Sequence, residues 1–178
     1  DLDESFEIYS SLLWGVMAQG LSEEEKEKNR SLRKELPPDA GIGGDLVRFS
    51  VQEHGEWLDY NNRRYHLRQA WQAFFDDWDI LLCPQMATEA FPHDHGEYLE
   101  RTITVDNEQQ DYFQQIFWAG TITVAHLPST VFPTGPTKAG LPLGLQAVSG
   151  EYNDYVTIDF ARLMAREIGG FAAPPNFP

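Results

Sequence analysis

Basic residues are scarce in this chain: 13 lysines and arginines stand against 28 aspartates and glutamates, a net charge of −15 over 178 residues. A molecule this acidic is repelled by phosphate, which argues against nucleic acid and anionic membrane surfaces as partners. Cysteine is almost absent. The single thiol, Cys83, removes any disulfide framework and fits a reducing, cytoplasmic setting. No apolar run reaches the roughly 18 residues that a membrane span needs. The sequence opens Asp-Leu-Asp-Glu, with neither an initiating methionine nor a basic-then-apolar leader, so a processed, split or cut chain is expected. What is present is apolar material: 42% hydrophobic and 13% aromatic residues, too much for a disordered acidic tail and enough for a core.

Phe6, Tyr9, Leu13, Val16 and Met17 recur at helical spacing, and Gly20 stands where a left-handed cap would end that helix. Ser22-Glu23-Glu24-Glu25 forms a capping box for a charged surface helix that Pro37-Pro38 stops. Residues 39–44 are expected to be a loop. A second box, Ser50-Val51-Gln52-Glu53, is expected to open the longest helix, with Val51, His54, Trp57, Leu58, Tyr65, Leu67, Trp71, Phe74, Phe75 and Trp78 along one face. Arg63, Arg64 and Arg68 share that helix and should lie over aromatic rings or pair with carboxylates.

Ile80 to Cys83, an uninterrupted apolar run ended by Pro84, predicts a strand buried on both faces. Residues 85–105 show no period and are expected to be a functional loop. A helix is expected from Asn107 to Ala119, with Gly120 beyond it. Strands follow at 129–133 and 143–148, joined by a turn-rich segment. Asp154 should cap a last helix with Tyr155, Ile158, Leu163, Met164 and Ile168 inward, closed by Gly169-Gly170; residues 173–178 read as a tail. The order is mixed α/β: a mixed β-sheet flanked by helices. One domain is expected over residues 1–178, with a helical lobe at 1–49, a sheet-completing core at 50–170 and a tail at 171–178. Three short strands leave sheet edges bare, so the sheet is expected to continue into polypeptide outside this sequence.

Candidate chemistry is thin. Cys83 lies in an apolar strand, where burial quenches a thiol, and a small buried hydrophobe is the expected role. No Gly-x-Ser-x-Gly elbow exists. Gly41-Ile42-Gly43-Gly44 lacks the Lys-Ser or Lys-Thr of a phosphate loop, and Asp45 would repel phosphate. Asp76 and Asp77 are adjacent and diverge on a helix. His93-Asp94-His95 with Glu97 offers two or three metal ligands, so a metal hydrolase built on His93 and His95 stays open as an alternative, though a solvated loop is the plainer reading. The sequence calls for no cofactor.

Three blocks carry a resemblance. Trp71 to Pro84 resembles a region of amidase signature enzymes in which a long helix ends in an aromatic–aspartate–hydrophobic–proline strand. Leu127-Pro128-Ser129-Thr130-Val131-Phe132-Pro133-Thr134-Gly135 looks like the family's "Leu-Pro-Ala-x-x-x-Pro-x-Gly" strand. Gly140-Leu141-Pro142-Leu143-Gly144-Leu145-Gln146 is similar to its "Gly-Leu-Pro-x-Gly-x-Gln" strand. His126 stands where the family commonly has glycine. The resemblance implies the C-terminal portion of an amidase-signature α/β/α sandwich, from a serine hydrolase that cleaves carboxylic amides to acid plus ammonia or amine through an acyl-enzyme. It implies a Ser–Ser–Lys triad in the first half of the family fold. No Gly-Gly-Ser-Ser run is present here, and the lysines are only Lys26, Lys28, Lys34 and Lys138. No catalytic residue is therefore assigned. Met86, Thr88, Trp118 and His126, after a strand end or beside the Leu-Pro strand, are expected to bind substrate. The expected partners are a small amide, the missing N-terminal catalytic half and a second copy of the chain. A non-catalytic regulatory or interaction module on the same scaffold remains a competing reading.

Overall fold

The structure, a computed structural model, describes residues 1–37, 40–97 and 100–174. Three helices come first: α1 (Leu2–Met17), α2 (Glu23–Arg33) and α3 (Gly41–Ser50). Asp1 caps α1 by accepting from the backbone N–H groups of Asp3 and Glu4. The Ser22–Glu25 capping box opens α2 as its sequence requires. Gly20 closes a short 3₁₀ turn, Ala18–Gly20, rather than capping α1. The expected loop at 39–44 is corrected: residues 41–44 already belong to α3, whose Ile42, Gly44 and Phe49 are buried. Pro38 and Asp39, named above at the end of α2 and in that loop, lie outside the described residues.

The long helix α4 (His54–Asp77) follows. Its capping box is Glu53 with Glu56, not Ser50 with Glu53, because Ser50 is still inside α3. Val51 and Trp78 therefore fall outside it, and Leu58 and Trp78 are exposed. Two of the three arginines behave as expected, while Arg64 donates to the Asn61 side-chain carbonyl at 2.6 Å instead of meeting a ring or a carboxylate. Arg63 pairs with Glu4 and Glu7 and lies 4.9 Å from the Tyr60 ring centre, while Arg68 pairs with Glu151.

Strand β1 (Leu81–Pro84) pairs antiparallel with β5 (Pro142–Val148), which pairs antiparallel with β4 (Ser129–Pro136), so the sheet order is β1-β5-β4. One face carries Leu81, Cys83 and Val148 and packs on Trp71 and Phe75 of α4 and on Trp118 and Ile122. The other face is covered over β4 by α6 (Asp154–Ile168), where Phe132 meets Phe160 and Thr130 hydrogen-bonds Thr157 at 2.8 Å. Because α6 sits mainly over β4, the same face of β1 is bare. Leu82, paired with Ala147, is 46% exposed, which corrects the expectation of a strand buried on both faces.

Two further strands appear where the sequence suggested loop and helix. Residues Thr102–Val105 and Glu108–Asp111 form an antiparallel hairpin, β2–β3. Its turn residues, Asp106 and Asn107, both adopt positive φ (52° and 68°), the geometry of a tight two-residue hairpin turn. The expected helix over 107–119 is therefore replaced by β3, a 3₁₀ turn at Tyr112–Ile116, and α5 (Phe117–Val124). Gly120 lies inside α5 rather than beyond it. A Cβ there would come within 2.6 Å of the Tyr9 ring, so glycine lets α5 approach α1.

Helix α6 ends at Gly169, whose φ of 95° favours glycine. Its N-cap is Asn153, with Asp154 the first helical residue. The expected inward set is corrected: Thr157 is buried and Met164 half-buried, but Tyr155 is 86% exposed and Ile158, Leu163 and Ile168 are exposed too. Residues 171–174 have no regular structure, and the rest of the expected tail lies outside the described residues. Among the described residues no helix is long and apolar enough to cross a membrane.

Candidate functional site

The C-terminal end of β1 delivers the chain into residues 85–90, which line two neighbouring cavities. The first, of about 220 Å³, lies between Met86, Thr88 and Glu89 on one side and Val131, Pro142, Leu143 and Gly144 of the sheet on the other. The second, of about 350 Å³, is walled by Gln85 and Met86 together with Tyr112, Phe113, Gln115, Ile116 and Ala119. Strand ends of open α/β sheets are where ligands gather, because the helices and loops diverge there. The 3₁₀ turn at Tyr112–Ile116, not legible in the sequence, supplies most of the second cavity's far wall.

The structure thus brings Met86 and Thr88 together. Trp118 lies on the adjoining face of β1, in an apolar cavity of about 360 Å³ that also includes Trp71, Phe74, Leu82 and Cys83. His126 is elsewhere. The register sets Ser129 and Leu81 on either side of Val148, so the turn carrying His126 sits at the end of the sheet opposite Pro84. There it borders a separate cavity with Thr123, Glu151, Tyr152 and Asp154. Burial and the guanidinium groups of Arg64 and Arg68 hold its imidazole below the ordinary value, with Glu151 pulling the other way. Its φ of 59° puts the backbone here in the left-handed region that glycine adopts without strain.

Cys83 is buried, and burial pushes its thiol pKa up more than its bond to Gln146 lowers it, so it is a poor nucleophile. Residues 41–44 start α3 instead of cradling an anion. The His93 and His95 ring centres stand 6.2 Å apart beside a cavity of about 550 Å³, but no group of three His, Cys, Asp or Glu side chains able to hold a metal occurs among the described residues.

The family model described as Amidase matches residues 24–158, and the chain belongs to the amidase family. Among its relatives, the indoleacetamide hydrolase of Bradyrhizobium diazoefficiens is 30% identical over 130 residues, covering 72% of this chain and 24% of that protein. A glutamyl-tRNA(Gln) amidotransferase polypeptide of Rhodospirillum rubrum is 32% identical over 121 residues, covering 68% of this chain and 22% of its own length. The fold is shared with a crystal structure of an amidase at a TM-score of 0.67 and 18% identity, over 93% of this chain and 36% of that one. The chain therefore spans about a quarter of the length of the curated relatives it matches.

Proposed function

We propose that this chain is the sheet-completing, pocket-wall portion of a larger hydrolase that cleaves carboxylic amides through a serine acyl-enzyme, with the nucleophile and its lysine supplied by the other portion. The observation that carries this reading is the state of β1. It pairs only with β5, leaving its other edge without a strand among the described residues, although its composition is that of a strand with neighbours on both sides. Residues 1–178 act as one unit in this reading, with the α1–α3 lobe docked on the core through α4 and α5. Met86, Thr88 and Trp118 form walls of the substrate pocket around β1. His126 contributes to none of the cavities those three line. An apolar or aryl group on the substrate suits walls made of methionine and aromatic side chains.

Inventory supports inactivity of the isolated chain. Acyl transfer needs an activated nucleophile and preorganised oxyanion donors. No serine here stands in a strained glycine-rich turn, and Lys26, Lys28, Lys34 and Lys138 lie on a charged helix or in a turn. The test compares the 178-residue chain with the same chain produced together with its upstream reading frame, using a chromogenic aryl amide and a serine-directed fluorophosphonate. Turnover and labelling are expected only when the upstream portion is present. Turnover by the isolated chain, or stoichiometric labelling of any of its serines, would move the active site into this chain. A longer protein that is inert toward every amide tried would favour a non-catalytic module.

A further inference from the structure

Three cavities meet around residues 86–90. Those of about 220 and 350 Å³ share Met86, and a third, of about 550 Å³, shares Thr88, Glu89 and Ala90 with the first and Tyr112 with the second. No lysine or arginine lines any of the three. Arg101, the nearest arginine in sequence, donates through Nε to the Gly96 carbonyl at 3.0 Å. Glu89 stands on the wall common to the first and third cavities. It is half-buried, yet it has neither an ion pair nor a hydrogen bond among the described residues. Asp45 and Glu151, carboxylates half-buried to a similar degree, are paired with Arg48 and Arg68, as charges drawn partly out of water usually are. The Glu89 carboxylate also stays open. Thr88 Oγ1 beside it is closed off without a partner, whereas neither Glu89 oxygen is. Across the third cavity the Phe91 and Tyr112 rings meet edge-on, their centres 5.8 Å apart, and Asp94 supplies a second carboxylate.

We propose that Glu89 determines specificity: its carboxylate receives the ammonium group of a substrate whose cationic end enters the 550 Å³ cavity. The inference rests on the reading of Met86 and Thr88 as pocket walls and deepens it, naming amides that carry a distal primary ammonium as the substrate class. Carboxylate and aromatic rings attract an ammonium together, the one by charge and the other through the ring face. An anionic substrate would meet Glu89 and Asp94 with no basic side chain to offset them.

The experiment titrates the 178-residue chain with benzylammonium and with benzyl alcohol, probes of similar shape that differ in the charged group. Binding is followed by ¹H–¹⁵N NMR at the backbone amides of Glu89, Phe91 and Tyr112. Benzylammonium is expected to shift these signals saturably and to bind roughly tenfold tighter than the alcohol. Glu89→Gln should abolish the preference. Glu24→Gln, which removes the same unit of charge from exposed α2, should keep it and so separates the site from the general pull of a −15 chain. Equal affinity for the two probes overturns the proposal, as do shifts spread over the acidic surface or an unchanged preference in Glu89→Gln. If Glu89→Gln fails to fold, the two probes on the parent chain decide. The same pair is then titrated into the longer protein. A preference lost there, as when a basic residue of the upstream portion meets Glu89, overturns the proposal too. Failure of the amidase reading would show differently: the longer protein would hydrolyse neither a neutral aryl amide nor its ammonium-bearing counterpart, while the binding preference persisted.

Discussion

Gln146 Nε2 donates to the carbonyl of Pro84 at 2.8 Å, tying the central strand β5 to the last residue of β1. The same carboxamide accepts from Ser129 Oγ of β4 at 2.8 Å. One side chain thus spans all three strands at the point where the chain leaves the sheet for the cavity-lining segment. A buried polar residue in the middle of a strand is tolerated because both halves of its amide are met.

Truncation of that side chain should be costly. Gln146→Ala removes the hydrogen bonds to the Pro84 carbonyl and the Ser129 hydroxyl together with the contact to the Cys83 thiol, a loss expected at about 2–4 kcal/mol. Chemical denaturation at unchanged slope is the measurement. A midpoint within error of the parent would show that the three-strand tie contributes nothing.

Leu82 and Val148 separate a core strand position from a bare one. Val148 is fully buried between α4, α5 and β1, and Val148→Ala should cost about 1.5–3 kcal/mol. Leu82→Ala, at an exposed position of the same sheet, should cost less than about 1 kcal/mol in the isolated chain. Equal losses for the two variants would contradict the assignment of faces.

Gly120→Ala tests the approach of α5 to α1. The added methyl would lie 2.6 Å from the Tyr9 ring, a contact that must be relieved by moving either the ring or the helix. Overpacking of this kind typically costs about 1–3 kcal/mol despite the better helix propensity of alanine. A gain in stability would mean that Tyr9 yields freely.

His126→Gly should run the other way. Its backbone is left-handed at φ 59°, a conformation that glycine adopts without strain, so the variant is expected to be more stable by up to about 1 kcal/mol. A thermal scan decides. A clear loss would show that the imidazole contributes more than the strain it imposes.

Tyr60 is expected to contribute to a loss of stability at high pH. Burial, and then the hydrogen bond to Glu7 at 2.7 Å, push its phenol up to about 12, with Arg63 opposing. In the unfolded chain it ionises near the ordinary value of about 10. The folded state thus holds the proton more tightly, so its contribution is complete below pH about 10 and lost as pH rises toward about 12. Stability of the parent should fall faster over that window than stability of Tyr60→Phe. Parallel curves would show that Tyr60 is not the group responsible.

Much of the frame was legible in the sequence because the signals were local. The Ser22–Glu25 box, the strands at 129–133 and 143–148, and Gly169 as a stop all act over a few residues, whereas the spacing in α1, α4 and α6 marked helices but not their buried faces, since Val16, Met17, Tyr65 and Ile158 are exposed. Two local signals misled. Ser50 has the form of a cap, yet α3 runs through it, since the buried contacts of Ile42 and Phe49 outweigh the glycines at 41, 43 and 44. Residues 107–119 carry a helical stripe, but the paired left-handed residues Asp106 and Asn107 turn the chain into a hairpin before any helix can start.

By itself the sequence determined the class of fold and the family blocks around β1, β4 and β5. Those follow from composition and short-range pattern. Which side chains share a cavity was decided only in three dimensions. Met86 and Gln115 are 29 positions apart and line one cavity. His126, which the sequence placed with Met86, is carried to the far end of the sheet by the register of β4 on β5. Strand register and hairpin geometry are long-range properties. They are set by which surfaces bury together, and no local spacing encodes them.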